Sequence, residues 1–256
     1  MLLVDANRDV FQPMAAGRRY AEIGVYRGVY SRGVKLFAPS RMYLIDPWWA
    51  ANMSDLIPSD YVSDPITSLQ ETFATYYPGG LDAALENAYR DICVEFSSDP
   101  TCEIIRATSA QACERFEPGS LDVVYIDGNH RYDFVLADLE RWSSKVAPDG
   151  HIILNDCYVS PLAKRQHISV LEAVSSFIKL TDWRPVALVN RPFTDVVITR
   201  DAHLRPSLLM MKKLLLLHKA AFIELPGSLI HAAGHRLAGF ERGGTPLLRE
   251  YLSFGE

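Results

Sequence analysis

Apolar residues in this chain fall into short β-rich runs separated by stretches of helical period. Val123, Val124, Tyr125 and Ile126 form one run, and Ile152, Ile153 and Leu154 form another. Their length and residue types predict buried strands. Between them Phe134, Val135, Leu139, Trp142 and Val146 recur in a helical sense. Pro148, Asp149 and Gly150 read as the turn into the second run. Upstream, residues 20–23, 43–45 and 102–106 predict strands, residues 81–96 a helix and residues 110–116 a shorter one. Downstream, residues 169–180 predict a helix and residues 183–189 and 195–199 the last two strands. Asn190, Arg191 and Pro192 join them by a turn too short for a parallel crossover, so that pair is expected to be antiparallel.

Strands alternating with helices predict an α/β fold. The expectation is a doubly wound, seven-stranded, mostly parallel sheet over residues 1–200. Leu2, Leu3, Val4, Val10 and Phe11 of the entry segment cover an edge of its core. Residues 48–80 interrupt the pattern with three prolines, several aromatics and a closing Gly79-Gly80. They read as a partly helical insertion, a lid over the cofactor end of the sheet. Residues 201–256 read as a helical extension whose apolar helix, broken by Lys212 and Lys213, packs on the domain or in a dimer.

Composition narrows the function classes. The 256 residues are 48% hydrophobic and 22% charged, with a net charge of −5, so no global basic field favours nucleic acid. Cys93, Cys102, Cys113 and Cys157 form no C-x-x-C pair. That pattern argues against structural zinc and suggests reduced thiols in a cytoplasmic setting. The N-terminal run meets Asp5 and Arg8 too soon for a signal peptide. No stretch approaches the roughly 20 apolar residues of a spanning helix.

The candidate chemistry sits where the strands end. Asp127 closes the 123–126 run, and Asn155 and Asp156 close the 152–154 run. Adjacent strands would bring these three oxygen-bearing side chains to one sheet edge, a set able to bind a divalent cation such as Mg²⁺. His130 follows Asp127 by three residues. Around residue 24 the chain reads as strand, glycine turn and helix, with Gly24 and Gly28 allowing a tight turn and Ser31 in the helix behind it. Tyr26 stands where the second glycine of a dinucleotide fingerprint would fall. A backbone approach to a pyrophosphate is therefore disfavoured, and a nucleoside without phosphates suits the turn better. Glu22 precedes the turn and suits a ligand with a cationic amino-acid end. Asp46 ends the 43–45 strand before Pro47, 22 residues after Gly24, the place of an acid that binds a ribose diol. Thr108 and Ser109 follow the 102–106 strand, where an adenine ring could be met.

As an ordered set, EIGVYRGVYS, LIDPW, YIDGNHRYDFVLADLERW and PDGHIILNDC resemble the class I S-adenosylmethionine-dependent methyltransferases. Within them the set is similar to the small-molecule O-methyltransferases that include macrolide-sugar methyltransferases and cephalosporin-hydroxylase-like proteins. The resemblance spans about residues 18–200. It implies that Glu22, Gly24 and Gly28 line the methionine end of S-adenosyl-L-methionine, that Asp46 holds the ribose hydroxyls, that Thr108 and Ser109 approach the adenine, and that Tyr26, Ser31 and Asp127 also belong to the cofactor site. It also implies Mg²⁺ on Asp127, Asn155 and Asp156, with Asp127 and His130 catalytic and His130 the base. The expected acceptor is a hydroxylated small molecule, a sugar or glycoside ahead of a catechol-like polyphenol, in a homo-oligomer. A dinucleotide-dependent oxidoreductase and a non-catalytic cofactor-binding scaffold are the rival readings. Asp133 and Asp138 are expected to face solvent or cap the helix, and His151 to lie at the far edge of the sheet.

Overall fold

The structure, a computed structural model, describes residues 1–49, 77, 79–158, 168–191 and 194–237. The core of the 48–80 insertion and the end of the C-terminal extension lie outside the described residues, so the lid expectation does too.

Nine strands form one sheet: β1 (Leu2–Asp5), β2 (Arg19–Ile23), β3 (Arg41–Asp46), β4 (Cys102–Arg106), β5 (Leu121–Ile126), β6 (Val146–Leu154), β7 (Trp183–Val189), β8 (Val196–Arg200) and β9 (Ala221–Glu224). Their order is β4-β3-β2-β5-β6-β8-β7-β1-β9. The β4-β3-β2-β5-β6 half is parallel throughout. The short turn between β7 and β8 makes that pair antiparallel, as the loop length requires.

The sheet corrects the expected seven strands. Leu2, Leu3 and Val4 are strand residues rather than edge cover. β1 is parallel to β7 and antiparallel to β9, so it is an interior strand, and all three side chains are buried. Three apolar residues are too few to show a period. The extension is likewise not purely helical: α6 (Leu204–Leu217) ends early, Lys219 takes φ +53°, and the chain returns as β9. β6 also begins before the predicted turn. Pro148 and Asp149 are exposed within it, and the β5–β6 register shifts between Leu121 and Val123. Such an irregularity is where a strand tolerates proline.

Helices cover both faces. On one face α4 (Tyr132–Ser143) and α5 (Val170–Leu180) bury Leu139, Trp142, Val174 and Phe177 against Val124, Ile152 and Ile198. On the other, α1 (Val29–Lys35), α2 (Leu81–Phe96), α6 and the 3-10 segment Arg8–Ala15 bury Val34, Ile92, Met211 and Phe11 against Leu44, Val123 and Ile153. α3 (Ser109–Cys113) and α7 (Ile230–Leu237) complete the first face. Among the described residues no helix is long and apolar enough to cross a membrane.

Candidate functional site

The strand order reverses between β2 and β5. β2 continues outward through β3 and β4, while β5 continues the other way through β6. Open α/β sheets bind ligands in the crevice beyond the strand ends at this point. The ladders run one residue past the strands. Gly24 donates to Ile45 O at 2.9 Å, Asp127 to Ile23 O at 2.8 Å, Asn155 to Ile126 O at 3.0 Å and Ala107 to Asp46 O at 3.2 Å. These bonds hold the predicted tips in one row. Gly24 adopts φ +89°, and a Cβ there would lie 2.1 Å from the Asp127 carbonyl oxygen. The two central tips therefore touch through backbone, which only glycine permits.

Asp46 ties the glycine turn to its neighbouring strand. One carboxylate oxygen accepts the Tyr26 amide at 2.9 Å and the other the Trp48 amide at 2.7 Å. Tyr26 and Trp48 both take positive φ, and the Trp48 indole donates to Tyr26 O at 2.9 Å. Burial raises the Asp46 pKa, with the Tyr26, Trp48 and Val25 amides opposing. An acid fixed in this way at the β3 tip fits a ribose diol.

Of the remaining nucleoside expectations, Glu22 and Ser31 lie deeper, whereas Thr108 and Ser109 are half-buried. Glu22 lies inside β2, 2% exposed, and accepts from the Tyr20 hydroxyl at 3.0 Å. Burial pushes its carboxyl up to about 8, against Ser31 and Tyr20. It supports the turn from beneath, beside the fully buried Ser31. Gly28 caps α1 at φ +67°. Thr108 caps α3 in a reciprocal box with Gln111. Ser109 bonds Asp138 and accepts from the Trp142 indole at 2.8 Å. Asp138 is thus not at the surface as expected. It is buried, and burial raises its carboxyl to about 6. His151 does not begin its strand as expected: it lies inside β6, opposite Val123, buried and paired with Ser207 at 2.8 Å.

On the β5 and β6 tips the acids meet. His130 Nε2 is 3.5 Å from Asp127 Oδ1 and 3.9 Å from Asp156 Oδ2. The His130 carbonyl accepts from Ser169 at 2.8 Å, which pins the loop to the start of α5. The Asp127, His130 and Asp156 side chains keep 21%, 24% and 14% of their surface exposed, while the His130 Nε2 atom that faces both acids is itself buried. Burial lowers the His130 pKa, but Asp127 and Asp156 outweigh it and hold the ring at about 9. The imidazole is therefore mostly protonated at neutral pH, so the expected base acts only through its neutral fraction, which grows toward pH 9.

Two participants escape sequence reasoning. Arg8 reaches in from the 3-10 segment, 3.2 Å from Asp127 Oδ2 and 3.1 Å from the Tyr125 hydroxyl. Asp195, fully buried before β8, accepts from Tyr125 at 2.9 Å and from the Asn155 amide nitrogen at 2.9 Å. Asp195 had a weak signal, an acid abutting an apolar strand. Arg8 had none, because its site lies more than a hundred residues away in sequence. Burial disfavours the Arg8 charge, yet Tyr125, Asp127 and Asp195 outweigh this and raise its pKa.

These contacts bear on the expected Mg²⁺ site through its donor chemistry. Mg²⁺ needs several oxygens in a tight octahedron at roughly 2.1 Å. Here both Asp127 oxygens are already engaged, one by the Arg8 guanidinium and the other by the His130 imidazole. Among the described residues no group of three or more His, Cys, Asp or Glu side chains is arranged to hold a metal. The expected Asp127, Asn155 and Asp156 set does not fit the ion as arranged.

A protein-family model described as "Methyltransferase domain" matches residues 21–157. The chain is 34% identical over 56 residues to the uncharacterized protein y4gI of Sinorhizobium fredii, a match covering 22% of this chain and 6% of that protein. The chain therefore spans only a small part of that curated relative. Similar solved structures include the N-methyltransferase NodS from Bradyrhizobium japonicum (9% identity, 75% of this chain and 94% of that one, TM-score 0.49). Another is the SAH-bound Podospora anserina methyltransferase PaMTH1 (11% identity, 76% and 79%, TM-score 0.46). The family match takes in more than half of the chain, from β2 through the β6 tip. The protein thus belongs to the methyltransferase-domain family, the class I S-adenosylmethionine-dependent methyltransferases that its glycine turn and strand-tip acids resemble.

Proposed function

We propose that this protein transfers a methyl group from S-adenosyl-L-methionine to a hydroxyl of a small molecule, a sugar or glycoside in preference to a polyphenol. One observation carries the reading: the acid Asp46 and the Asp127–His130–Asp156 cluster share the carboxyl edge of the sheet on either side of the switch point. The first suits a nucleoside, and the second suits a hydroxyl that must lose a proton.

The cofactor supplies an already activated methyl group, so the chain's own task is positioning and proton handling. The Gly24–Gly28 turn and Asp46 orient the nucleoside. Trp48, almost wholly buried beside them, keeps water from the turn. The acceptor hydroxyl lies against His130 and Asp127. As its oxygen gains the methyl carbon and the carbon–sulfur bond breaks, its proton passes to the His130–Asp127 pair. No step is assigned to Mg²⁺.

A radiolabelled methyl-transfer screen over sugars, glycosides and phenols, with and without Mg²⁺, tests this reading. Label in a sugar or glycoside is the expected result. Transfer only to amines, or no binding of S-adenosyl-L-methionine by calorimetry, refutes it.

A further inference from the structure

The acid cluster at the β5 tip is charge-balanced from within the chain. Arg8 Nη1 lies 3.2 Å from Asp127 Oδ2 and 3.1 Å from the Tyr125 hydroxyl. That hydroxyl donates in turn to Asp195 at 2.9 Å. The guanidinium carbon sits 5.2 Å from the centre of the Tyr30 ring, which stacks on Tyr125 at 4.1 Å and 10°. The segment that carries Arg8 is anchored by buried Val10, Phe11, Met14 and Ala15. Asn7 caps it by accepting the Asp9 amide at 3.2 Å. Arg8 is thus held through an aromatic face, a phenol and a carboxylate, with only 17% of its side chain exposed.

A guanidinium in this place does electrostatically what a divalent metal does for a developing alkoxide. It puts fixed positive charge beside Asp127, the carboxylate paired with His130, in a partly dry site. It also repels a second cation from the same oxygens, since like charges a few ångströms apart in a low-dielectric site cost several kcal/mol.

From this geometry we infer that Arg8 is the resident cation of the site, taking the charge role of a metal, and that methyl transfer here needs no divalent ion. The inference rests on the methyl-transfer reading for its activity arm only.

The test titrates the full chain with Mn²⁺, followed by electron paramagnetic resonance, and assays transfer after exhaustive chelation. The expected result is no saturable Mn²⁺ binding in the millimolar range and transfer unchanged by chelation. Saturable Mn²⁺ binding that disappears in Asp127→Asn overturns the inference, as does transfer lost on chelation and restored by Mg²⁺. Arg8→Ala should lower kcat by about a hundredfold with cofactor affinity retained, and Arg8→Lys, which keeps the charge, should lose less. Equal loss in both variants contradicts a charge role. If Arg8→Ala does not fold, the wild-type Mn²⁺ titration decides alone. If the wild type methylates no acceptor, the methyl-transfer reading fails, and the Mn²⁺ arm still judges Arg8.

Discussion

A methyl group on Gly24 would stand 2.1 Å from the carbonyl oxygen of Asp127 and 2.5 Å from its carbonyl carbon. The obstacle is backbone, held by the Asp127 amide bond to Ile23 O at 2.8 Å, so no side chain can rotate away. Gly24→Ala must pull the β2 and β5 tips apart and also strain a φ of +89°. The expected cost is about 1–3 kcal/mol or more, read as a lowered Tm, with cofactor binding lost. A variant that melts like the wild type and binds S-adenosyl-L-methionine normally contradicts the contact.

Asp46 presents a second backbone-level dependence. Both of its oxygens accept amide protons, from Tyr26 and Trp48. Asp46→Asn replaces one acceptor with an NH₂ group that would face a donor. The loss of that bond in a buried place is worth about 1–3 kcal/mol. The glycine turn should loosen, and cofactor affinity should fall about tenfold or more. Calorimetric titration with S-adenosyl-L-homocysteine reads this directly, and an unchanged Kd would remove Asp46 from the nucleoside site.

How far the sequence could be read depends on the range of the interactions involved. Tyr20 to Gly28, Asp46 and the tips at Asp127 and Asn155 were legible because strand ends and turns are local. Each is marked by an apolar run stopping at a polar or glycine residue. β1 was not legible, since Leu2, Leu3 and Val4 become a strand only through β7 and β9, about 180 and 220 residues away. The orientation of Asp138 failed for a similar reason. A carboxylate on a helix normally faces water, and only the Ser109 partner 29 residues away holds it inside. Arg8 is the extreme case, because its partners Tyr125 and Asp127 lie on β5 and just past its end, 117 and 119 residues away.

Glu22 gives a pH signature in stability. Its pKa is about 8 in the folded chain against 4.5 for the free side chain, chiefly through burial. Between those values the folded state holds a proton that the unfolded state has lost, so stability falls as pH rises from 4.5 to 8 and levels off above. Glu22→Gln lacks this proton. The wild type minus variant difference in unfolding free energy should drop across the window by an amount on the order of a few kcal/mol. Denaturant melts at several pH values measure it, and a flat difference would show that Glu22 ionises normally.

His130 sets the pH dependence of the reaction itself. The ring holds its proton up to about pH 9, because Asp127 and Asp156 outweigh the effect of burial. Only the neutral ring can take the acceptor's proton, so its fraction falls about tenfold for each pH unit below that value. The expected kcat/KM therefore climbs with pH through the neutral range and levels near 9, whereas a histidine of ordinary pKa would level near 6.5. His130→Gln should cost about a hundredfold at pH 9 and erase the rising limb, while cofactor binding, which depends on Asp46 and the glycine turn, persists. Asp156→Asn takes one carboxylate from the ring's surroundings and should move the plateau to lower pH without abolishing the limb. A wild-type profile already flat at pH 7, or a His130→Gln variant that keeps the same limb, would transfer the proton-accepting role to another group.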